Sequence, residues 1–115
     1  MLEDDEGIRQ MLGYILTKYG FKVCTFETYA AFKEKMEIEL PDLIILDIML
    51  PDGNGEVIGL SLSSDDRTKH IPILFMSANV KFNLPNELSK HDFIGKPFEL
   101  PDLKQKINNL LQAHL

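Results

Sequence analysis

The chain has little cysteine, little positive charge and no long apolar run. Its one cysteine, Cys24, cannot form an internal disulfide, and its apolar, alternating surroundings predict a core residue in a reducing cytoplasm. Lys and Arg number 12 against 18 Asp and Glu, giving a net charge of −6, and the basic residues are scattered, so direct binding to nucleic acid is not expected. No run approaches the roughly 18 apolar residues of a membrane span, and acids stand where a signal peptide would be basic. We therefore expect a cytoplasmic protein with no membrane association.

The size and composition predict one globular domain. The chain has 115 residues, of which 44% are hydrophobic and 26% are charged. That is enough to bury a core without disulfides or a structural metal. We expect residues 1–115 to form a single domain.

The stretch from Pro41 to Gly55 organises the chain. Its centre, Leu43 to Leu46, is four consecutive branched aliphatic residues, which is typical of a strand buried on both faces of a parallel sheet. The strand ends in a carboxylate, Asp47, and turn-forming residues follow it. Ligands of open α/β sheets bind at the carboxyl ends of the strands, so Asp47 is a candidate reactive group. On this stretch alone, Asp47 could equally be a cap for the next turn.

Helical and strand patterns alternate along the chain. Apolar spacing predicts helices over residues 7–20, 28–39 and 57–64, a short helix after Pro85, and a last helix over 100–112. Short β-rich runs predict strands over residues 21–26, 43–46, 71–76 and 92–95. The alternation predicts an α/β fold, a doubly wound parallel sheet with helices on both faces. Only Met1 and Leu2 are present where a first strand is expected, so that strand is truncated.

Chemically useful side chains stand at the predicted strand ends. They are Glu3, Asp4, Asp47, Ser77 and Lys96. Three carboxylates at one edge of a sheet repel each other unless a cation joins them, and hard oxygen ligands favour Mg²⁺. An ammonium group and a hydroxyl beside them complete a site for phosphoryl oxygens, and a carboxylate is an acceptable nucleophile. The sequence therefore predicts transfer of a phosphoryl group to Asp47.

Four motifs in order resemble the receiver domain of two-component response regulators, the CheY-like family. They are Glu3-Asp4, the segment LDIMLPDG around Asp47, the segment MSA at Ser77 and the segment FIGKPF at Lys96. The resemblance covers essentially the whole chain. It implies a five-stranded parallel sheet with the flavodoxin-like strand order 2-1-3-4-5.

The resemblance also implies roles for individual residues around the metal. Asp47 matches the phosphoacceptor, Asp4 the direct Mg²⁺ ligand, and Glu3 the acid that assists through water. Met49 matches the residue whose backbone carbonyl also binds the metal.

The remaining family roles concern the response to phosphorylation. Ser77 matches the switch hydroxyl, and Phe93 the aromatic side chain that moves with it. Lys96 matches the lysine that binds the phosphoryl group, and Pro97 the proline that follows it across a cis peptide bond. The added negative charge would act as a switch through these groups.

By the same resemblance, the partner is a sensor histidine kinase or a phosphotransfer protein. The output surface would be the last strand with the helices on either side of it, and the only catalysis would be self-phosphorylation and autodephosphorylation. The truncated first strand leaves an edge that invites a homodimer or strand exchange.

Two alternatives stay open. A haloacid-dehalogenase-like phosphatase also uses a strand-end aspartate, but Met49 stands where that family has its second aspartate. A receiver-shaped interaction module that no longer switches is the other alternative. The three histidines, His70, His91 and His114, are isolated, and we expect them on the surface.

Overall fold

A computed structural model describes residues 1–78 and 83–113 of the chain. The helices are α1 (Glu6–Lys18), α2 (Tyr29–Ile38), α3 (Gly55–Ser64) and α4 (Leu100–Ala113), with a 3-10 helix at Asn86–Leu88. The strands are β1 (Ile44–Asp47), β2 (Met49–Leu50), β3 (Gly53–Asn54), β4 (Ile73–Ser77) and β5 (Asp92–Gly95). The predicted helices and the three later strands are confirmed. Residues 79–82 lie outside the described residues, as does His114.

The central sheet is parallel and three-stranded, in the order β1-β4-β5. Leu46 lies beside Phe75, which lies beside Phe93. After Asp47, where the sequence predicts only a loop, β2 and β3 form a small antiparallel hairpin.

The N-terminal residues extend this order by single bridges. Leu2 bridges Phe26 on one side and Leu46 on the other, both in parallel. Across the sheet, the order is therefore Phe26, Leu2, β1, β4 and β5. This is the expected order 2-1-3-4-5 when the five expected strands are counted along the chain, although the first two of them are reduced to these bridges.

Of the predicted strand over residues 21–26, the structure contains only the bridge at Phe26. The terminal amine of Met1 donates to the Cys24 carbonyl at 2.7 Å, and the Phe26 amide donates to the Met1 carbonyl at 2.8 Å. Residues 21–23 have no strand partner within the described ranges. Cys24 is correspondingly exposed, which corrects its prediction as a core residue.

The core lies in two layers, one on each face of the sheet. Alternate β residues such as Ile44, Leu46 and Phe75 pack against α2, α3 and the 3-10 helix. The residues between them, such as Ile45 and Leu74, pack against α1 and α4. Because alternate side chains of a strand point to opposite faces, one apolar run serves both layers. The doubly wound architecture is therefore confirmed.

Some of the apolar residues within the predicted helices are exposed. Ala31 on α2 and Val57 on α3 both face solvent, whereas Phe32 and Ile58 beside them are buried. Within residues 1–78 and 83–113, no helix is long and apolar enough to cross a membrane.

His91 is buried, which corrects its prediction as a surface residue. Its Nδ1 accepts a hydrogen bond of 3.0 Å from the buried amide of Ile73, and its Nε2 lies 3.0 Å from the Ser63 hydroxyl. Because Nδ1 accepts, the proton of the neutral ring is on Nε2 and is donated to Ser63. The imidazole thus joins the start of β4 to α3.

Replacement of His91 by alanine is expected to lower the free energy of unfolding by about 2 to 3 kcal/mol, because it leaves the Ile73 amide without its acceptor and opens a cavity. His91→Asn keeps an acceptor at the Nδ1 position and should lose less. Urea unfolding followed by circular dichroism measures both. The exposed His70 provides the control, since His70→Ala should change stability by no more than about 0.5 kcal/mol. Equal stability of the two alanine variants would contradict the structural role of His91.

Candidate functional site

The predicted site residues meet at the carboxyl edge of the sheet. Asp47 ends β1, Ser77 ends β4, and Lys96 follows β5 directly. Glu3 and Asp4 follow Leu2, the residue that bridges to β1. The edge forms because parallel strands end on the same side, which brings together residues up to 93 positions apart in the chain.

Lys96 is the cation at the centre of the site. Its Nζ donates to Glu3 Oε1 at 2.5 Å and to Asp47 Oδ2 at 3.0 Å. Glu3 is fully buried and Asp47 is 5% exposed, so both ion pairs are shielded from water. Charge-assisted hydrogen bonds of this kind are about twice as strong as neutral ones.

Three carboxylates converge beside this lysine. One oxygen from each of Glu3, Asp4 and Asp47 lies within 4.8 Å of the others, and Asp4 is exposed to solvent. Lys96 balances only one of the three negative charges. The surplus charge and the hard oxygen donors fit a divalent cation such as Mg²⁺, which binds through one or two carboxylates plus waters and phosphate oxygens.

The electrostatics of the metal-free site are set by this crowding. Burial, followed by the hydrogen bond and charge of Asp47, raises the pKa of Glu3 from 4.5 to about 7, although Lys96 opposes the shift. Burial alone would lower the pKa of Lys96, but its hydrogen bonds to Glu3 and Asp47 outweigh burial and raise that pKa. The pocket therefore keeps its ammonium group charged and resists a full complement of negative carboxylates.

The backbone that carries the acids is tied to α1. Arg9 Nη1 donates to the carbonyl oxygens of Glu3 and Asp4, at 3.1 and 3.3 Å. Asp5 caps α1 by accepting from the Ile8 amide at 2.9 Å, and its own amide lies 3.4 Å from Glu3 Oε2. Sequence reasoning missed Arg9, because a single arginine on an exposed helix carries no signal of its distant partner.

The loop after Asp47 lies against the same carboxylate. The Met49 amide lies 3.4 Å from Asp47 Oδ1, so the Met49 backbone is adjacent to the candidate metal site. The Met49 side chain is 79% exposed and makes little contact with the core.

The residues assigned to switching lie on the other side of the site. Ser77 is buried at the end of β4, and its carbonyl accepts from the Lys96 amide at 2.8 Å. Phe93 is half-buried on β5 and packs against the core layer that contains Phe75. The peptide bond between Lys96 and Pro97 is cis, as the sequence resemblance implies.

Removal of the Lys96 charge is expected to lower the stability of the fold most at high pH. Since the folded pKa of Glu3 lies above its usual 4.5, its protonated form favours folding below pH 4.5, and this contribution is lost as the pH rises to about 7. Lys96→Met removes the cation that offsets the ionised acid. It should therefore lower the free energy of unfolding by about 2 to 3 kcal/mol at pH 8 without metal, and by much less at pH 5.

Urea unfolding at the two pH values measures this difference. Lys106→Met is the matched control, because Lys106 pairs with Asp92 at 3.2 Å on the surface and should lose less than about 1 kcal/mol at either pH. A loss in Lys96→Met that is the same at pH 5 and pH 8 would contradict the charge argument.

Known proteins share this fold. The family model described as "Response regulator receiver domain" matches residues 1–108. A crystal structure of a putative response regulator from Chloroflexus aurantiacus superposes with a TM-score of 0.87 at 25% identity, covering 96% of this chain and 93% of that one. A sensor protein from Polaromonas superposes with a TM-score of 0.88 at 26% identity, covering 99% and 96%.

Curated proteins are similar to this chain in sequence. The transcriptional regulatory protein GltR of Pseudomonas aeruginosa is 32% identical over 115 residues, which is 97% of this chain and 48% of that protein. The hybrid signal transduction histidine kinase D of Dictyostelium discoideum is 32% identical over 114 residues, which is 96% of this chain and 7% of that protein. The chain therefore spans about half the length of the matched regulator and a small part of the kinase.

Proposed function

The chain belongs to the response regulator receiver domain family, and from this premise we propose that it is a phosphoacceptor domain in which Asp47 receives a phosphoryl group from a histidine kinase or a phosphotransfer protein. We propose that residues 1–115 form one such domain. The observation that carries the proposal is the convergence of Lys96, Glu3 and Asp47 through contacts of 2.5 and 3.0 Å, with Asp4 beside them. Receiver domains interact with histidine kinases or phosphotransfer proteins, and the matched curated proteins include a hybrid kinase.

The chemistry assigned to Asp47 is nucleophilic attack. A carboxylate oxygen of Asp47 forms a bond to phosphorus, the bond between phosphorus and the donor nitrogen breaks, and that nitrogen keeps the electron pair and takes a proton. Mg²⁺ held by Asp4, Asp47 and the Met49 carbonyl, with Glu3 assisting, would supply charge neutralisation for the phosphoryl oxygens. Catalysis on this proposal is limited to self-phosphorylation and autodephosphorylation.

Lys96 can bind the phosphorylated form of Asp47 as well as the unphosphorylated carboxylate. Its Nζ lies 3.0 Å from Asp47 Oδ2, so a phosphoryl group on Asp47 lies within reach of the same ammonium. Moving that ammonium from Glu3 to phosphoryl oxygens releases one of its present contacts. Ser77 would donate its hydroxyl to the new group, and Phe93 would respond on β5, passing the change to the surface between the 3-10 helix, β5 and α4.

The proposal is tested by labelling with a small phosphodonor. Phosphoramidate should add one phosphoryl group in the presence of Mg²⁺, as measured by intact mass, and chelation of the metal should abolish the addition. Beryllofluoride with Mg²⁺ should change the amide spectrum around Asp47 and Ser77. If neither donor nor beryllofluoride has an effect, the chain is instead a non-switching interaction module. Sustained turnover of phosphate esters would favour the phosphatase alternative.

We also propose that the protein is cytoplasmic and that two copies can associate. The single cysteine is free, which suits a reducing cytoplasm. A cleft of about 290 Å³ lies between the segment 21–26 and the start of β1, where a further strand could pair. Sedimentation velocity with and without beryllofluoride tests whether two copies associate along this edge, and a monomer under both conditions would exclude it.

A further inference from the structure

Helix α2 begins with its free amides bonded to a residue of a distant loop. Asp52 Oδ1 accepts from the Tyr29 amide at 2.9 Å, and Asp52 Oδ2 accepts from the Ala30 amide at 3.2 Å. The local cap, Thr28, accepts from the Ala31 amide at 3.3 Å. The first amides of α2 are therefore shared between its own cap and a carboxylate 23 positions further along the chain.

Asp52 also supplies a negative charge at the N-terminus of α2, whose own first turn has no acidic residue. The other helices carry an acid in the first turn, namely Glu6, Glu56 and Asp102, whereas α2 has none. A negative charge at this end is favoured by the helix dipole. The hydrogen bond from the Tyr29 amide, together with that from Ala30, keeps the pKa of Asp52 below its usual value. The contact is therefore ionic as well as hydrogen-bonded.

Helix α2, to which Asp52 is bonded, is anchored in the core. On α2, Phe32 and Met36 are buried, and the ring of Tyr29 stacks on that of Phe32 at 6.4 Å. The first turn of α2 is thus a rigid attachment point for the loop.

Asp52 itself lies in the turn between β2 and β3. This hairpin pairs Met49 with Asn54 and Leu50 with Gly53. Its base is fixed by the Gly55 amide, which donates to the Ile48 carbonyl at 2.7 Å. Leu50 of this hairpin is half-buried against the core layer that contains Phe32, and the two hydrogen bonds of Asp52 attach the tip of the hairpin to the first turn of α2.

We propose that Asp52 is a positioning residue for the divalent-cation site: it ties the β2–β3 hairpin to α2 and thereby fixes the Met49 backbone beside Asp47. The proposal rests on the proposed function, in which the Met49 carbonyl binds the metal. Asp52 would not itself be a ligand of the cation. It acts through the backbone, as groups that orient metal ligands commonly do.

A comparison of two capping variants tests this role. Asp52→Ala removes the tie to the hairpin, and Thr28→Ala removes the other cap of the same helix without affecting the hairpin. Asp42→Ala, on an exposed acid at the opposite end of β1, controls for the loss of one negative charge. Mg²⁺ affinity is measured by calorimetry, and amide hydrogen exchange of Leu50 and Asn54 is measured in the metal-free protein.

Asp52→Ala should weaken Mg²⁺ binding by about tenfold and speed exchange in the hairpin, while Thr28→Ala and Asp42→Ala stay within about twofold of the unmodified chain. Asp52→Asn keeps its acceptor oxygen and should restore part of the affinity. Unchanged affinity and exchange in Asp52→Ala, or equal losses in Asp52→Ala and Thr28→Ala, would overturn the proposal. An unmodified chain that binds Mg²⁺ but takes no phosphoryl group would overturn the proposed function alone.

Discussion

Replacement of Asp47 by asparagine is expected to abolish phosphorylation by phosphoramidate, with a loss of about 100-fold or more in initial rate. The amide has the shape of the carboxylate but cannot attack phosphorus. Asp47 is 5% exposed and is held by Lys96, so the variant should place its side chain in nearly the same position. Intact mass after incubation with the donor and Mg²⁺ measures the result.

The same variant has a second expected effect on its neighbour. Asp47 raises the pKa of Glu3 through a hydrogen bond and through its charge, in addition to the larger effect of burial. Removal of the Asp47 charge should therefore lower the pKa of Glu3 below about 7, which carboxyl carbon shifts in an NMR titration can follow. This readout reports that the variant is folded even though it takes no label.

Asp66→Asn provides the control for labelling, because Asp66 is an exposed acid whose side chain pairs only with Lys69 among the contacts of the described residues. It should label at the rate of the unmodified chain. Labelling of Asp47→Asn at that rate would place the acceptor elsewhere and remove the basis of the proposed function.

Replacement of Gly55 by alanine is expected to cause the largest loss of stability, more than about 3 kcal/mol. A Cβ at position 55 would lie 2.2 Å from the Asp47 carbonyl oxygen and 2.7 Å from Ile48 Cα. Both contacts are with backbone at the end of β1, so no side-chain rotation can relieve them. The strand end or the start of α3 would have to move, and the Asp47 backbone would move with it.

Urea unfolding followed by circular dichroism measures the loss. Gly13→Ala is the control, because its Cβ would meet only the Thr25 methyl at 3.4 Å and it lies inside α1. There the replacement should stabilise the protein by about 0.5 to 1 kcal/mol, since alanine favours helix more than glycine does. Comparable stabilities of the two variants would show that the end of β1 tolerates displacement.

Much of the fold could be predicted because its signals are local. The run from Leu43 to Leu46 indicated a strand buried on both faces, and Ile44 to Asp47 is fully buried in β1. A helix was predicted from residue 28, and Thr28 caps α2 by accepting from the Ala31 amide. Spacing, caps and turn residues all act within a few positions, so they can be recognised without knowing the tertiary neighbours.

The wrong predictions share a different cause. Cys24 and His91 have unremarkable local sequences, yet one is exposed and the other is buried. Cys24 contacts Met1 through its backbone carbonyl while its side chain faces solvent, and His91 is covered because α3 and β4 meet around it. Burial depends on elements that are distant in sequence, and no periodicity reports it.

The candidate site also has features that the sequence predicts and features that depend on tertiary contacts. The residue types at the strand ends, and therefore the acids, the hydroxyl and the lysine available for phosphoryl chemistry, were determined by the sequence alone, because parallel strands must end at one edge. Only the tertiary structure decided that Glu3 is buried while Asp4 is exposed, that Lys96 bonds to both Glu3 and Asp47, and that Asp52 reaches α2. These pairings join positions from 22 to 93 residues apart, and their energies depend on burial and on distances of a few ångströms that only the packed chain sets.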